Sequence, residues 1–321
     1  MPMFRKILVA LATCLPLSAV QAQLSLEDLL VQMTEATRTS NYQGTVMYRN
    51  GEMMETMRLV HRYRDGELRE RIFSTSGEPR EILRKDDEVT CIIPRERKVT
   101  FDKFGGEGLF PALQRSTVEK LRENYELTDL GVTRVAGRQC RGVAIKPRDA
   151  YRYGYRLWLD TETKVPVKLS LIGEGDRVLE QVVFTTVEFP DEIPDSSLVP
   201  ELDFEGYDYF THRMMPVETG GESRWLTSGL PPGFRVVRRE VRQLRDGGDH
   251  VEQLMLSDGL SSVSIYSTTM PDGEVFEGAS DMGAVNTFAR MVGKFHLTVV
   301  GEVPQATVMR IANGLTLAAN P

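Results

Sequence analysis

Histidine and cysteine are scarce in this chain, and so are the motifs of the common catalytic centres. There are four histidines and three cysteines in 321 residues. The histidines are His61, His212, His250 and His296. None has a second histidine or a cysteine at metal-ligand spacing, which argues against a zinc site. G-x-S-x-G, H-E-x-x-H and G-x-x-x-x-G-K-[ST] are also missing. We therefore expect no catalytic residues, no metal and no cofactor, although two carboxylates brought together by folding, as in a glycoside hydrolase, stay open.

Long apolar runs are confined to the start of the chain. Beyond residue 22 nothing approaches the roughly 18 apolar residues of a membrane span, so we expect a soluble mature protein. A basic start at residues 5 and 6 precedes an apolar run over residues 7–20, with small residues where signal peptidase cuts. We predict a signal peptide over residues 1–22, cleaved after Ala22. The alternative is a lipoprotein attached through Cys14, although Thr13 is larger than the residue usual before a lipidated cysteine.

The chain has fewer basic than acidic residues. Without the leader the chain keeps 37 of its 39 lysines and arginines against 46 acidic residues, a net charge of −9. Bulk attraction to nucleic acid is therefore excluded as a binding mode. The leader also takes one cysteine, leaving Cys91 and Cys140, both in strand-like runs. In an oxidising compartment they could form a disulfide, and two buried free thiols are the alternative.

Length and periodicity predict two domains of the α+β class. Cleavage would leave 299 of the 321 residues, more than one core usually fills. Ser25 fits an N-cap, and an apolar stripe at helical spacing follows it to about Ser40. Strand-like runs then alternate with turn signals to residue 189, interrupted by a predicted helix over residues 111–125. We count about ten antiparallel strands, enough for a strongly curved sheet or an unclosed barrel whose apolar concave face the helices cover.

The composition changes in the next segment, and a smaller unit follows it. Prolines and a Gly-Gly pair without periodicity indicate a linker over residues 204–224. Residues 225–321 then contain strand-like runs at 234–244, 250–257, 261–266 and 295–300. We predict helices over residues 284–292 and from Pro304 onward, where proline suits the first position of a helix.

An antiparallel hairpin is predicted over residues 152–172. Tyr155, Leu157 and Leu159 alternate with polar residues, and a second alternating run follows a short polar turn. Four methionines, Met47, Met53, Met54 and Met57, surround the first hairpin turn of the chain. Methionine adapts its shape to apolar partners, so this cluster and the Tyr155 face could line a cavity for an acyl chain. Core packing under the first helix is the alternative.

Arginine is concentrated on two consecutive strands. The run RLVHRYRDGELRERIF carries five arginines, Arg58, Arg62, Arg64, Arg69 and Arg71. Arg58 and Arg62 share one strand face, from which they could bind phosphate groups or a partner's carboxylates. Pairing across the strands with Glu55, Glu67 and Glu70 is the alternative.

Six runs along the mature chain carry a family resemblance. They are GEPREILRKDDEVTCIIP, YRYGYRLWLDTETKVPVKLSLI, LEQVVFTTVE, LPPGF, LSDGLSSVSIY and VVGEVPQATVMRIANGL. They resemble the MucB/RseB family, periplasmic negative regulators of envelope-stress sigma factors of the sigma-E and AlgU type. The resemblance implies a large N-terminal antiparallel half-barrel with helices in its concavity, similar to the LolA and LppX carriers, over residues 23–203. A smaller C-terminal α+β domain over residues 225–321 would follow the linker.

The resemblance implies binding and not catalysis. Members of the family bind the periplasmic domain of a MucA- or RseA-like anti-sigma factor, protect it from site-1 proteolysis and so keep the sigma factor inactive. Lipopolysaccharide or another acylated lipid would release that complex, since a ligand that prefers the unbound form must weaken it. The alternative is a periplasmic lipoprotein or lipid carrier of the LolA type, although such carriers are typically one domain. The oligomeric state stays open, and a homodimer is one option.

The residues for each role are expectations drawn from the resemblance and the patterns together. The C-terminal domain would contact the anti-sigma factor through two segments. Their residues are Ser257, Asp258, Gly259, Leu260, Tyr266, Val299, Val300, Val303 and Pro304. Lipid would bind the methionine cluster and the Tyr155 face, with Arg58 and Arg62 for its phosphates.

Overall fold

A computed structural model gives the fold for most of the chain. It describes residues 24–103, 109–111, 113, 115–211, 223–243, 250–269 and 276–318. The predicted leader, the run at residues 104–108 and most of the predicted linker lie outside these ranges. None of the helices within them has the length and hydropathy that a membrane crossing requires.

A twelve-stranded sheet dominates the described part of the chain. Its strands are β1 Tyr42–Asn50, β2 Met53–Arg64, β3 Glu67–Ser74, β4 Glu81–Lys85, β5 Glu88–Ile93, β6 Lys98–Lys103, β7 Tyr125–Val135, β8 Arg138–Pro147, β9 Gly154–Asp160, β10 Pro166–Ile172, β11 Val178–Glu188 and β12 Asp208–Thr211. The spatial order is β12-β6-β5-β4-β3-β2-β1-β11-β10-β9-β8-β7. Neighbours pair antiparallel except β12, which adds to β6 in parallel. The predicted linker therefore contributes four residues to this sheet.

Two helices fill the concave face of the sheet, as predicted. They are α1 Leu26–Thr39 and α2 Arg115–Asn124. The Ser25 hydroxyl accepts a hydrogen bond from Asp28 N at 3.1 Å, so the predicted N-cap is formed. Leu30 and Met33 of α1 are fully buried against strand residues such as Leu157. Each such side chain contributes about 1.5–3 kcal/mol by leaving water, and this apolar stripe holds α1 in the half-barrel.

A second, smaller core belongs to the C-terminal part. Its six-stranded sheet, in the order β14-β15-β16-β19-β18-β17, contains β14 Arg235–Gln243, β15 His250–Ser257, β16 Ser262–Thr269, β17 Gly278–Met282, β18 Val285–Val292 and β19 Phe295–Gly301. The helix α3 Gln305–Gly314 packs on one face of this sheet. Two short strands, β13 Trp225–Thr227 and β20 Leu315–Leu317, form a separate antiparallel pair in this domain. The predicted α+β class and the predicted half-barrel with a smaller C-terminal domain are confirmed.

The helix predicted over residues 284–292 is wrong, because this segment is the strand β18. Gly283, at a φ of 65°, makes the tight turn that joins β17 to β18, with Met282 paired to Val285. Asn286, Phe288 and Arg290 alternate along the strand toward α3, where Arg290 donates to the carbonyl of Ala312 at 2.9 Å. The apolar residues of this segment lie on two different faces of a sheet.

Cys91 and Cys140 are both free thiols, so the disulfide considered above is not formed. Cys91 lies on β5 and Cys140 on β8, and seven strands stand between these two in the sheet. A disulfide requires Cα atoms within about 7 Å, which only adjacent backbone segments reach. Burial raises the pKa of both thiols, and this keeps them protonated and unreactive.

We expect reduction to leave the stability of the mature protein unchanged. Residues 23–321 should show two titratable thiols in denaturant without reductant. The melting temperature with and without dithiothreitol should agree within about 1 °C, because there is no cross-link whose removal would loosen the unfolded chain. A loss of several degrees on reduction would show that the two cysteines pair in solution.

Candidate functional site

The boundary between the two domains is held by a buried charged cluster. Arg152, in the loop before β9, has its Nη1 2.7 Å from Oδ2 of Asp258, which follows β15. Both side chains are fully buried. The Tyr125 hydroxyl donates to the same carboxylate oxygen at 2.8 Å and lies 3.2 Å from the Ser261 hydroxyl. Burial, and then the Asp258 carboxylate, raise the pKa of Tyr125, so the phenol stays a donor.

The turn that carries Asp258 is shaped to fit this boundary. The second carboxylate oxygen of Asp258, Oδ1, accepts hydrogen bonds from the backbone N–H groups of Leu260 and Ser261 at 2.9 and 2.7 Å. Gly259 has a φ of 102°, and a Cβ there would lie 2.8 Å from Cγ2 of Thr117 on α2. Only glycine combines this backbone conformation with so close an approach. The turn therefore packs against the helix layer of the half-barrel.

Further hydrogen bonds connect α3 and β18 to the loop before β9. Thr307 Oγ1 donates to the carbonyl of Tyr151 at 2.7 Å. Asn286 Nδ2 donates to the Tyr153 hydroxyl at 3.1 Å and to the carbonyl of Val303 at 2.8 Å. These contacts fix the start of α3 beside the half-barrel, so the two domains meet along a defined line.

Two cavities lie at this boundary, and they differ in charge. One, of about 820 Å³, is lined by the ends of β8 to β10, residues 173–177 and the start of α3. Its lining includes the cations Lys146, Arg152, Arg156 and Arg177 as well as acidic residues. The other, of about 700 Å³, lies between the concave wall and residues 255–262 of the C-terminal domain. We call it the inner cavity.

The inner cavity is apolar with two carboxylates. Leu169, Leu171 and Val182 line it from the half-barrel, and Met255 and Leu260 from the other domain. The charged residues on its wall are Glu180 and Glu302, and none of its described lining residues is a lysine, arginine or histidine. The apolar part of this surface suits an apolar ligand.

Glu180 is held in this wall by a tyrosine. The Tyr48 hydroxyl donates to its Oε2 at 3.1 Å. Burial and the nearby Glu180 raise the pKa of Tyr48 to about 12, so the phenol remains a donor at neutral pH. Burial raises the pKa of Glu180, and the hydrogen bond from Tyr48 opposes part of that shift. Along the described chain, no lysine or arginine forms an ion pair with Glu180.

The residues expected to bind lipid lie in several different parts of the structure. Tyr155 lines both boundary cavities, whereas Leu157 and Leu159 are fully buried under the helices. The methionines alternate between faces, because Met53 and Met57 pair with the concave positions Asn50 and Val46 of β1, and Met47 and Met54 point outward. Met53 and Met54 are exposed at the hairpin tip, and Met57 is buried. Strand alternation separates residues that are close in the sequence.

Arg58 and Arg62 lie on the outer face of the half-barrel, away from both cavities. Arg62 is buried, with its Nη1 2.7 Å from Oδ1 of Asp195 and 3.1 Å from the carbonyl of Ile193. Of the other arginines in the run, Arg69 pairs with Glu67 at 2.6 Å, while Arg71 pairs with Glu81 on β4. The outer arginines thus mainly attach residues 193–202 to the sheet.

The residues expected to bind the anti-sigma factor also have different environments. Asp258, Gly259 and Leu260 belong to the domain boundary, and Val299 and Val303 are fully buried in the C-terminal core. Ser257 donates to the carbonyl of Ser261 within the turn, Pro304 lines the larger cavity and Val300 is half-buried. Tyr266 is 36% exposed, on the sheet face opposite α3. Tyr266 is therefore the most accessible side chain of this set.

Sequence reasoning missed Arg152, Tyr125, Tyr48 and Glu180. No local signal marks them, because their partners lie far away: 106 residues separate Arg152 from Asp258, and 132 separate Tyr48 from Glu180. One cue for Glu180 was present, since its position lies on the concave side of an alternating strand that is otherwise apolar at Val182 and Phe184.

The fold and the boundary define a class of protein: two α+β domains that enclose cavities where they meet. Among the described residues, no three His, Cys, Asp or Glu side chains are grouped to hold a metal ion. The family models of the MucB/RseB N-terminal and C-terminal domains match residues 25–202 and 219–316. The chain belongs to the MucB/RseB family, and the predicted resemblance is confirmed.

Known relatives match over almost the whole chain. The sigma factor AlgU regulatory protein MucB of Pseudomonas aeruginosa is 30% identical over 313 residues, 95% of each chain. The sigma-E factor regulatory protein RseB of Escherichia coli K12 is 27% identical, over 91% of this chain and 90% of the relative. The structure of the Pseudomonas aeruginosa MucA/MucB complex matches with a TM-score of 0.71 at 27% identity, covering 92% of this chain and 99% of that one.

Proposed function

We propose that this protein is a periplasmic regulator that binds the periplasmic domain of a MucA- or RseA-like anti-sigma factor. The observation that carries the proposal is the match of both domains, in one arrangement, to a MucB that was solved in complex with MucA. Bound in this way, the protein hinders site-1 proteolysis of the anti-sigma factor, and the sigma factor stays inactive. The protein acts by binding a partner, and it catalyses no reaction of its own.

Release by lipid is the second part of the proposal. An acyl chain entering the apolar part of a boundary cavity would alter the surfaces that the partner contacts. By linkage, a lipid that prefers the free protein weakens the complex by the same factor as the complex weakens lipid binding. The phosphates of lipopolysaccharide suit the larger cavity, where Lys146 and Arg177 lie, better than the inner one.

Calorimetric titration tests both parts. Residues 23–321 should bind the periplasmic domain of the MucA-like protein from the same organism, and lipopolysaccharide fragments should weaken that binding. A site-1 protease should cut the anti-sigma factor more slowly when the protein is present. Lipid uptake without any binding of the anti-sigma factor would contradict the proposal and leave a lipid carrier.

Tyr266 provides a residue-level test of the C-terminal surface. We expect Tyr266→Ala to weaken binding of the anti-sigma domain about tenfold, since exposed tyrosines often dominate interfaces. Tyr209→Ala is the matched control, because Tyr209 is 56% exposed on β12, at the edge of the other sheet. Its effect should stay within about twofold. If the two substitutions weakened binding equally in the same titration, the face of β16 that carries Tyr266 would not be part of the interface.

A further inference from the structure

The outer face of the half-barrel carries a group of cations, although the chain as a whole is acidic. Strand alternation turns Arg49 of β1, Arg58 of β2, Arg156 of β9 and Lys168 of β10 to this face, away from α1 and α2. We call these four residues the outer basic face. The spacing of strands places neighbouring members roughly 8–15 Å apart. Together they cover the middle of the sheet.

Three of these cations have no carboxylate partner among the described residues. Arg49 donates to a backbone carbonyl of its own hairpin turn at 2.9 Å, and Arg58 is exposed. The ammonium of Lys168 lies 4.5 Å from the centre of the Trp158 ring. Burial lowers the pKa of Lys168, as expected for a cation that loses water without gaining a carboxylate.

The nearby carboxylates lie at the margins of the outer basic face. Asp176 pairs with Arg156 at 2.7 Å, and the buried Asp160 pairs with Arg138 at 2.8 Å. Glu188 lies at the end of β11 and accepts from a glutamine. The outward positions between the cations are uncharged; they include Thr45, Thr56, Ser170 and Gln181. The middle of this face therefore has a positive potential.

Apolar side chains share this face with the cations. Trp158, Val183 and Met47 form one cross-strand row with Lys168, and Met54, in the neighbouring row, is 60% exposed. The solvent-facing side of an antiparallel sheet is usually polar. Exposed apolar and aromatic groups beside uncompensated cations match the interfacial layer of a bilayer. There tryptophan rings and lysine stems contact the acyl boundary, and the cations contact phosphates.

We propose that the outer basic face docks on an anionic phospholipid bilayer. A second copy suits it less, because two such faces repel each other, and contact with another surface of a copy would continue into a ring or filament. An extended peptide cannot add as a strand, because β9, β10, β11, β1 and β2 are interior strands of the sheet. A bilayer requires neither a groove nor a free edge. This contact is separate from the expected anti-sigma residues, which lie in the C-terminal domain.

Vesicle sedimentation tests the proposal. The probes are vesicles of equal parts phosphatidylglycerol and phosphatidylcholine, with pure phosphatidylcholine vesicles for comparison. At about 25 mM salt, residues 23–321 should bind the anionic vesicles at least about tenfold more tightly, and about 300 mM salt should abolish most of this binding by screening exposed charges. Equal binding to both kinds of vesicle, or no binding at low salt, would overturn the proposal.

Single substitutions assign the contact to this face. Lys168→Gln and Arg58→Gln should each weaken binding to the anionic vesicles about fivefold, the contribution of one basic residue near such a surface. Lys120→Gln is the matched control, because Lys120 is exposed on α2, on the opposite side of the sheet. It removes the same charge and should change binding less than twofold. Equal effects of Lys120→Gln and Lys168→Gln would show that net charge acts instead of this face.

Trp158 reports the contact directly. The chain has two tryptophans, and the other, Trp225, is 4% exposed in the C-terminal core. Anionic vesicles should therefore shift the emission of Trp158 to shorter wavelength, and Trp158→Phe should lack this shift. Bound vesicles without a shift would place the contact elsewhere and overturn the proposal. Weaker binding of the soluble anti-sigma domain by Lys168→Gln, with vesicle binding unchanged, would assign the face to a protein partner instead.

Discussion

Replacing Asp258 by asparagine will lower the free energy of unfolding by about 3 kcal/mol and loosen the contact between the domains. The substitution removes the fully buried one of the two carboxylates that pair with Arg152, the other being Asp149 at 3.0 Å, and turns a donor toward the guanidinium. Breaking one side of a buried ion pair typically costs about this much. Asparagine can still accept from Leu260 N and Ser261 N, so the turn itself is kept. Urea unfolding measures the loss, and small-angle scattering should show a larger radius of gyration.

Two comparisons make this result specific. Asp281→Asn removes an exposed carboxylate from β17 of the same domain and should change stability by no more than about 0.5 kcal/mol. The double variant Arg152→Met with Asp258→Asn removes both fully buried charges and leaves only the partly exposed Asp149 without its guanidinium partner. It should therefore lose less stability than the sum of the two single changes. An Asp258→Asn protein as stable and as compact as the wild type would show that the domains do not meet through this ion pair in solution.

Replacing Glu81 by alanine will destabilise the half-barrel by about 3–5 kcal/mol. Glu81 is fully buried and pairs with Arg71, whose side chain is 3% exposed. The same carboxylate accepts from the backbone N–H groups of Glu201, at 3.2 and 3.1 Å, and of Leu202, at 3.1 Å. Alanine would leave the Nε of the buried Arg71 guanidinium and two backbone donors without their acceptor, although Arg71 Nη1 would keep its contact with Glu201 at 3.1 Å. Urea unfolding followed by far-ultraviolet circular dichroism measures the change.

Glu78→Ala is the control for Glu81→Ala. Glu78 pairs with Arg95, but both side chains are more than 60% exposed, so their ion pair should contribute less than about 0.5 kcal/mol. Glu81→Ala should also make the segment after residue 193 more susceptible to protease, because the carboxylate attaches it to the outer face. Equal stability of the two variants would mean that Glu81 does not hold this segment.

Local patterns predicted much of the fold. The Ser25 cap, the apolar stripe of α1 and the alternation in β9 and β10 depend on neighbours within a few residues, and each formed as expected. Residues 284–292 show where such reasoning fails, because a short apolar run fits a helix and a strand equally well. The glycine turn at residue 283, which the analysis of the sequence did not use, distinguishes the two.

The candidate site was much less predictable. Tyr155 and Asp258 were named from the sequence, and both lie at the domain boundary. The four methionines do not form one cluster in the structure, because neighbouring residues of a strand point to opposite faces of the sheet. Glu180 and Tyr48 gained their importance from a contact between β1 and β11, which pair antiparallel although about 130 residues separate them.

The sequence by itself determined the class of fold, the membership of the MucB/RseB family and the acidic character of the chain. These depend on composition, short periodicities and long ordered motifs, which are all readable in one dimension. Only the tertiary structure decided which charges are buried together, that Cys91 and Cys140 stay apart, and that one boundary cavity is lined by several cations while the described lining of the other contains none. The physical reason is that burial and electrostatic pairing depend on distances between residues that are remote in the sequence, and folding alone sets those distances.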